Sequence, residues 1–584
     1  MTRTTRPTAL LFATLALAFG VGITSSNARL SGQQAEDNGI RPEARAQIEA
    51  LLREKETRTP AEQKIDSQLL YARRMQLGLP VAPGVQTIEV DIPYADDGHA
   101  IVDVKARLSS RLLAQVNAVT AESKQTGAAD LQLHVDLAQI EAIAADPDVI
   151  WVAPKHGAYT SRQSPDKPDG TPRLSRAERR ARTLDAVRLA VAAPALSGDA
   201  TRPPLGPLVV GPGTGSVSSQ ADVTHRSAVF RGLTGLNGAG VKIGVLSDGV
   251  CHLADAQASG DLGAVTVLPG QTGDCSGDGQ DEGTAMLELI HDMAPGAQLY
   301  FATAFTSITS FADNIRALRT AGCDIIVDDV GYYVESPFQD GQGASVISPT
   351  NGGVVTQAVK DVAALGAMYF SSAGNSGNLN DGTSGVWEGD FNLGAATVDP
   401  PIPAAGAGNF HRFTGVQDFN TLTLAGSGPI SLAWSDPLGG SGNDYDIFRL
   451  NTAGTTVAAS STNIQNGNDD PYEQMSNSTA SPRIVVVKKT GAAARFLHLN
   501  TNRGQLSVAT RDRFTAMPRP ATSSRSASPP RTPDSRIRIH SARPTSSRRS
   551  VPTDHDASSS SEMAPPSRRG ISHQPAERCF RSPT

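Results

Sequence analysis

Three residues of this chain have the types and surroundings that acyl-transfer chemistry uses. Asp248 ends the apolar run Val241-Lys242-Ile243-Gly244-Val245-Leu246-Ser247 and is followed by Gly249. Glu282 opens the run Asp281-Glu282-Gly283-Thr284-Ala285-Met286, after which apolar residues recur at helical spacing. Asn375 stands between Gly374 and Gly377, which leaves its side-chain amide free to face a site. In acyl transfer a base takes the nucleophile's proton, a carboxylate orients that base, and amide donors stabilise the charge growing on oxygen. A carboxylate acts as the base where burial or a second carboxylate raises its affinity for protons. Asp248, at the C-terminal end of a strand, lies where open parallel sheets gather their sites. Each residue also has a plainer account: a strand-ending aspartate, an acid favoured by the macrodipole at a helix N-terminus, and a turn asparagine.

Three blocks, in this order and spacing, resemble those of subtilisin-like serine proteases, the subtilases. VKIGVLSDGV at 241–250 is similar to the block that supplies the triad aspartate, which implies that role for Asp248. DEGTAMLELIHDMAPGAQLYFA at 281–302 is similar to the histidine block in its Gly-Thr, its helix and its Ala294-Pro295-Gly296-Ala297 turn, and it puts Glu282 where the histidine is expected. SSAGNSG at 371–377 is similar to the oxyanion block, with Asn375 as the donor. The resemblance implies an endopeptidase acting on protein or peptide substrates. It implies no required cofactor and allows calcium as a structural ion. A glutamate at this point is similar to the sedolisins, relatives of the subtilases, and implies an acidic optimum. Sedolisins place an aspartate four residues later, where Met286 stands, and another at the oxyanion position, where this chain keeps Asn375.

The nucleophile is the larger departure. Subtilases carry their serine in a Gly-Thr-Ser block that opens a long helix downstream of the oxyanion asparagine. The chain's one Gly-Thr-Ser, Gly382-Thr383-Ser384, runs into Gly385-Val386-Trp387 without helical spacing, and Ser384 is set aside as nucleophile. His291, more than two turns past Glu282, and His252, beside Cys251, are poor substitutes for the missing histidine. Asp328 and Asp329 fall where subtilases carry their substrate cleft; a basic substrate, a pairing with Glu282 and a solvated strand end all remain open. From about 509 to 584 Ser, Arg and Pro dominate, lysine disappears and hydrophobic periodicity vanishes. This tail is expected to be disordered, and its composition fits out-of-frame reading of a GC-rich gene, with the chain disrupted before its serine.

The elements that must position these residues form an α/β fold: a subtilisin-like parallel sheet flanked by helices over 226–409, where apolar strands alternate with helical segments. Before it, 29–155 reads as helices followed by an α+β unit. Its ending, Asp146-Pro147-Asp148-Val149-Ile150-Trp151-Val152-Ala153-Pro154, resembles an inhibitory propeptide; an unrelated α+β domain is the alternative. Ile88–Ile92 alternates as a strand. Residues 156–225 read as a linker interrupted by a helix at Arg176–Ala192, and 410–508 as an antiparallel β-sandwich, inserted or appended.

Composition bounds the rest. With 584 residues, 39% hydrophobic and 19% charged, the chain can bury a large core, and a net charge of -6 argues against nucleic acid as a partner. Met1–Ala28 has Arg3 and Arg6 and then an apolar run, Ala9–Phe19, shorter than the roughly 20 residues of a spanning helix. This is the order of a secretory signal. The expected product is secreted, periplasmic or extracellular, free of the membrane after signal removal, with protein substrate and its own propeptide as partners. Cys251 and Cys275 are close enough in sequence for a bridge, which spacing alone leaves undecided, and Cys323 reads as a buried thiol.

Overall fold

In the computed structural model, structure is described for residues 38–160, 215, 218–276, 280–338, 341–342, 348–372, 374, 377–397, 407–511 and 524–526. The expected signal segment, the helix expected at Arg176–Ala192, Asn375 and most of the tail lie outside the described residues.

Helix α1 (Pro42–Glu56) starts on a proline, whose fixed φ suits the first turn, and buries Ala44, Ile48, Leu51 and Leu52 along one stripe. Helix α2 (Ser67–Gln76) is capped by Asp66, whose carboxylate accepts from the Gln68 amide. Next come β1 (Ala100–Ala106), α3 (Ser110–Val119), β2 (Glu122–Gly127), β3 (Asp130–Val135), α4 (Ile140–Ala144) and β4 (Val149–Pro154). The four strands form an antiparallel sheet in the order β2-β3-β1-β4. Alternation explains its core: Leu131, Leu133 and Val135 of β3 meet Val102 and Val104 of β1 under Leu112 of α3.

The chain continues as β5 (Ala158–Thr160), α5 (Gln220–Thr224), α6 (Ser227–Thr234), β6 (Lys242–Ser247), α7 (Leu253–Ala258), β7 (Val265–Val267) and α8 (Glu282–Met293). After these come β8 (Gln298–Thr303), α9 (Ile308–Thr320), β9 (Ile325–Asp328), β10 (Val330–Tyr332), α10 (Val354–Ala364) and β11 (Met368–Ser372). Strands β11-β9-β6-β8-β7 make a parallel sheet. Successive residues of β6 face opposite ways. Leu246 joins Phe311, Ile315 and Val359 of α9 and α10, while Val245 joins Leu287 of α8 and Ala256 of α7. Helices therefore cover both faces, as an all-parallel sheet requires.

From Val386 to Leu506 the chain is strands and turns in two antiparallel sheets, whose inner faces share Trp434, Tyr445, Val486 and Leu499. This region begins about twenty residues before the expected boundary, because Val386–Asp390 pairs with Phe496–Asn500. Ser524–Ser526, inside the segment expected to be disordered, pairs in parallel with β11.

One N-terminal expectation changes. Ile88–Ile92 joins no ladder; Glu89 makes one bridge to Ala459 and donates its amide to the Ala458 carbonyl at 2.7 Å. Its alternation is real but spans two cores, with Ile88 in one and Ile92 against another. Helix α1 packs on the β-region instead of on the α+β sheet, sharing a core with Phe410, Phe448 and Val485. Under that core Lys55 Nζ bonds the carboxylates of Asp444 and Asp446, the latter at 2.7 Å, and Arg58 bonds Glu54 at 2.8 Å and the Thr462 carbonyl at 2.7 Å.

Candidate active site

The parallel sheet ends in a cluster of carboxyls. Asp248 follows β6 and is 6% exposed. Its Oδ1 accepts from the amides of Gly249 at 2.6 Å and Gly283 at 3.2 Å, and its carbonyl accepts from the Thr303 hydroxyl at 2.5 Å. The contact with Gly283 needs a residue without a side chain. A Cβ there would lie 2.4 Å from the Phe301 ring and 2.5 Å from the Gly249 carbonyl, so α8 could not approach β6 this closely. Burial raises the Asp248 carboxyl above its ordinary value, the two amides oppose the rise, and the charge of Glu282 adds to it.

Glu282 is the first residue of α8. Its Oε2 is buried, and no N–H or hydroxyl donor of the described residues reaches it. The group that does come within hydrogen-bonding reach is the carboxyl of Asp329, in the kink between β9 and β10. Two carboxyls in contact need a proton between them. Burial, then the charge of Glu282 and its hydrogen bond, push Asp329 well above the ordinary carboxylate range, so the pair holds a proton between them at neutral pH. Ser247 fixes the pair from below, its hydroxyl donating to Asp329 Oδ1 at 2.9 Å. Asp328 faces elsewhere: it accepts from the Ser371 hydroxyl at 2.9 Å and the Val330 amide at 3.1 Å, and burial pushes it up to about 7.

Of the alternatives that the sequence left open for Asp329, the geometry brings about the pairing with Glu282. Asp248 and Glu282 also come together. Met286, at the position of the sedolisin aspartate, packs against the core under α8. Ser384 is 3% exposed and donates its hydroxyl to the Thr510 carbonyl at 2.9 Å, with no imidazole or carboxylate accepting its proton. His252 meets Asp281 at 3.3 Å with 55% of its side chain exposed, and His291 is buried in the second half of α8. Cys251 and Cys275 are bridged, with Cα atoms 5.4 Å apart, which closes the loop beside Asp248. Cys323 is a buried free thiol, pushed up to about 11 by burial.

The edge of the site is already covered. β5 lies antiparallel on β10, with Tyr159 opposite Gly331 and Thr160 opposite Val330, so its C-terminal end runs toward Asp329. Tyr159 stacks on Tyr333 with ring centroids 4.4 Å apart and planes 10° apart, and the Arg503 guanidinium donates to the Thr160 carbonyl. These residues fall in the segment expected to be linker. Sequence reasoning missed β5 and Ser247; the only signals were a Tyr before a Thr and a serine just before Asp248. Among the described residues no group of three or more His, Cys, Asp or Glu is arranged to hold a metal ion, and no helix is long and apolar enough to cross a membrane.

No family model matches the chain, and no curated protein matches it. Among solved structures it is similar to the epidermin leader peptide processing serine protease EpiP from Staphylococcus aureus. A serine-to-alanine mutant of EpiP matches at 14% identity and a TM-score of 0.27, and unmutated EpiP at 12% and 0.25. Each match covers 48% of this chain and 62% of the other, so the chain spans less than two thirds of these neighbours.

Proposed function

We propose that this chain is an exported subtilisin-like endopeptidase homologue whose cleft holds polypeptide in extended form but does not turn it over. One observation carries the reading: β5 pairs with β10 in a two-stranded ladder, with its end directed at Asp329. Backbone pairing along a strand supplies affinity without demanding a sequence, which suits a protease-derived cleft. The bound strand follows the α+β unit directly, so that unit acts as the chain's own propeptide, leading its C-terminal strand into the site. Asp248 and Glu282 supply the carboxylates and Asn375 the expected oxyanion donor. We place no nucleophile in this chain: its Gly-Thr-Ser opens no helical pattern, and the Ser384 hydroxyl donates to the Thr510 carbonyl.

The test is hydrolysis of an unfolded protein substrate at pH 4 and pH 7 by the purified chain and by its Glu282→Ala and Ser384→Ala variants. No hydrolysis by any of them is expected, together with an uncut bond after Thr160 on N-terminal sequencing. Turnover that disappears in Ser384→Ala would return that serine to the mechanism. A Gly-Thr-Ser block in another reading frame past codon 510 would show where the nucleophile went.

A further inference from the structure

A small pocket, partly open to solvent, lies between the start of α2, the end of β4 and the loop after residue 462. Its wall includes Asp66, Trp151, His156, Gln465, Asp469 and Tyr472. Asp66 accepts from the Gln68 amide at 2.8 Å and from Asn463 at 2.9 Å, and Asp469 accepts from the Asn466 amide at 2.9 Å. The cations whose fields these two feel are engaged elsewhere, Arg58 with Glu54 and Lys55 with Asp444 and Asp446. Burial pushes both carboxyls up to about 6, as expected where no cation touches them. His156, pushed down to about 4 by burial, adds no positive charge at neutral pH.

Gln465 makes the second, independent observation. It is 4% exposed, and its Nε2 donates to Glu473 at 2.8 Å, which fixes the amide's orientation. Its Oε1 has no partner. An orphaned buried acceptor is costly unless something donates to it. Here it stands in a wall that already carries the carboxyls of Asp66, Asp469 and Asp470 and two aromatic side chains.

We infer that this cavity binds a small organic cation, a primary ammonium or guanidinium group, which donates to Gln465 Oε1 and Asp469 and lies against Trp151 or Tyr472. A metal ion fits less well, since no three-ligand group exists among the described residues, whereas an indole and a phenol favour a carbon-borne cation. Asp470 is not part of this chemistry. Its oxygens are taken by Ser348, Thr350 and Gly439, and it serves to hold the 348–350 loop in the wall.

Titration calorimetry on the full chain at pH 7.5 tests the inference with agmatine, cadaverine, N-acetylarginine amide and calcium chloride. At least one of the organic cations should bind saturably, with about tenfold or greater loss of affinity in Asp469→Asn and in Gln465→Leu. Binding of agmatine or cadaverine alone identifies a free amine as the ligand, and equal binding of the arginine amide identifies a side chain of a polypeptide. The Gln465→Leu variant keeps every charge, so it carries the comparison if Asp469→Asn fails to fold. No saturable binding of any organic cation, equal binding of calcium, or undiminished affinity in the folded variants would overturn it.

Discussion

Asp329 makes a measurable claim about pH. A carboxyl raised in the folded state contributes stability that is complete below its unfolded value, about 3.9, and that contribution is lost as pH rises through the folded value. Asp248, Asp328 and Asp329 are all raised. Stability in urea should therefore fall from pH 4 toward pH 8, by up to about 1.4 kcal/mol per pH unit for each proton retained on folding. Asp329→Asn cannot titrate and keeps a donor toward Glu282, so its pH slope should be shallower and its stability at pH 7 higher than that of the parent. An unchanged slope would mean that the two carboxyls do not share a proton. Asp248 and Glu282 were legible in the sequence because each sits at the junction of an apolar run with a helix or a turn. The pairing of Asp329 with Glu282 was legible only as one alternative among several. It depends on a kink between β9 and β10 and on a hydroxyl from β6, neither of which a linear pattern records.

At the scale of elements, β5 and α1 each rest on one replaceable residue. A Cβ on Gly331 would stand 2.5 Å from the Tyr159 ring. Gly331→Ala should loosen β5 and speed limited proteolysis around 158–160 about tenfold, the effect of roughly 1.4 kcal/mol on the open population. Equal rates would show that the strand is held by Tyr333 and Arg503 alone. For α1, Lys55 is 2% exposed between Asp444 and Asp446; burial opposes its charge, but the carboxylates outweigh that and hold it protonated. Lys55→Met leaves buried carboxylates uncompensated and should cost about 3–5 kcal/mol in urea unfolding. The helices and strands of the parallel sheet follow their hydrophobic periods closely, as α8, α9 and α10 do. Ile88–Ile92 does not, because its one apolar face passes from one core at Ile88 to another at Ile92. Alternation tells that a segment is buried on one side and is silent about what buries it.

For the whole molecule, the N-terminal region is joined to the β-region by a shared core and by buried ions. A protease that nicks within 161–214 should therefore leave both pieces eluting together in size-exclusion chromatography under native conditions. Separation should require denaturant, or Lys55→Met. A released N-terminal piece would contradict the docking of α1. The same ion pair sets a schedule for synthesis. Lys55 and Asp444 are 389 residues apart, and at about 5–20 residues per second the ribosome needs roughly 20–80 s to deliver the second after the first. Through that interval Ile48, Leu51 and Leu52 of α1 have only Tyr71, Val81, Val85 and Ile88 to lie against, without Phe410, Phe448 and Val485. The nascent chain must wait with α1 half covered, and a holding chaperone is the expected companion of its birth.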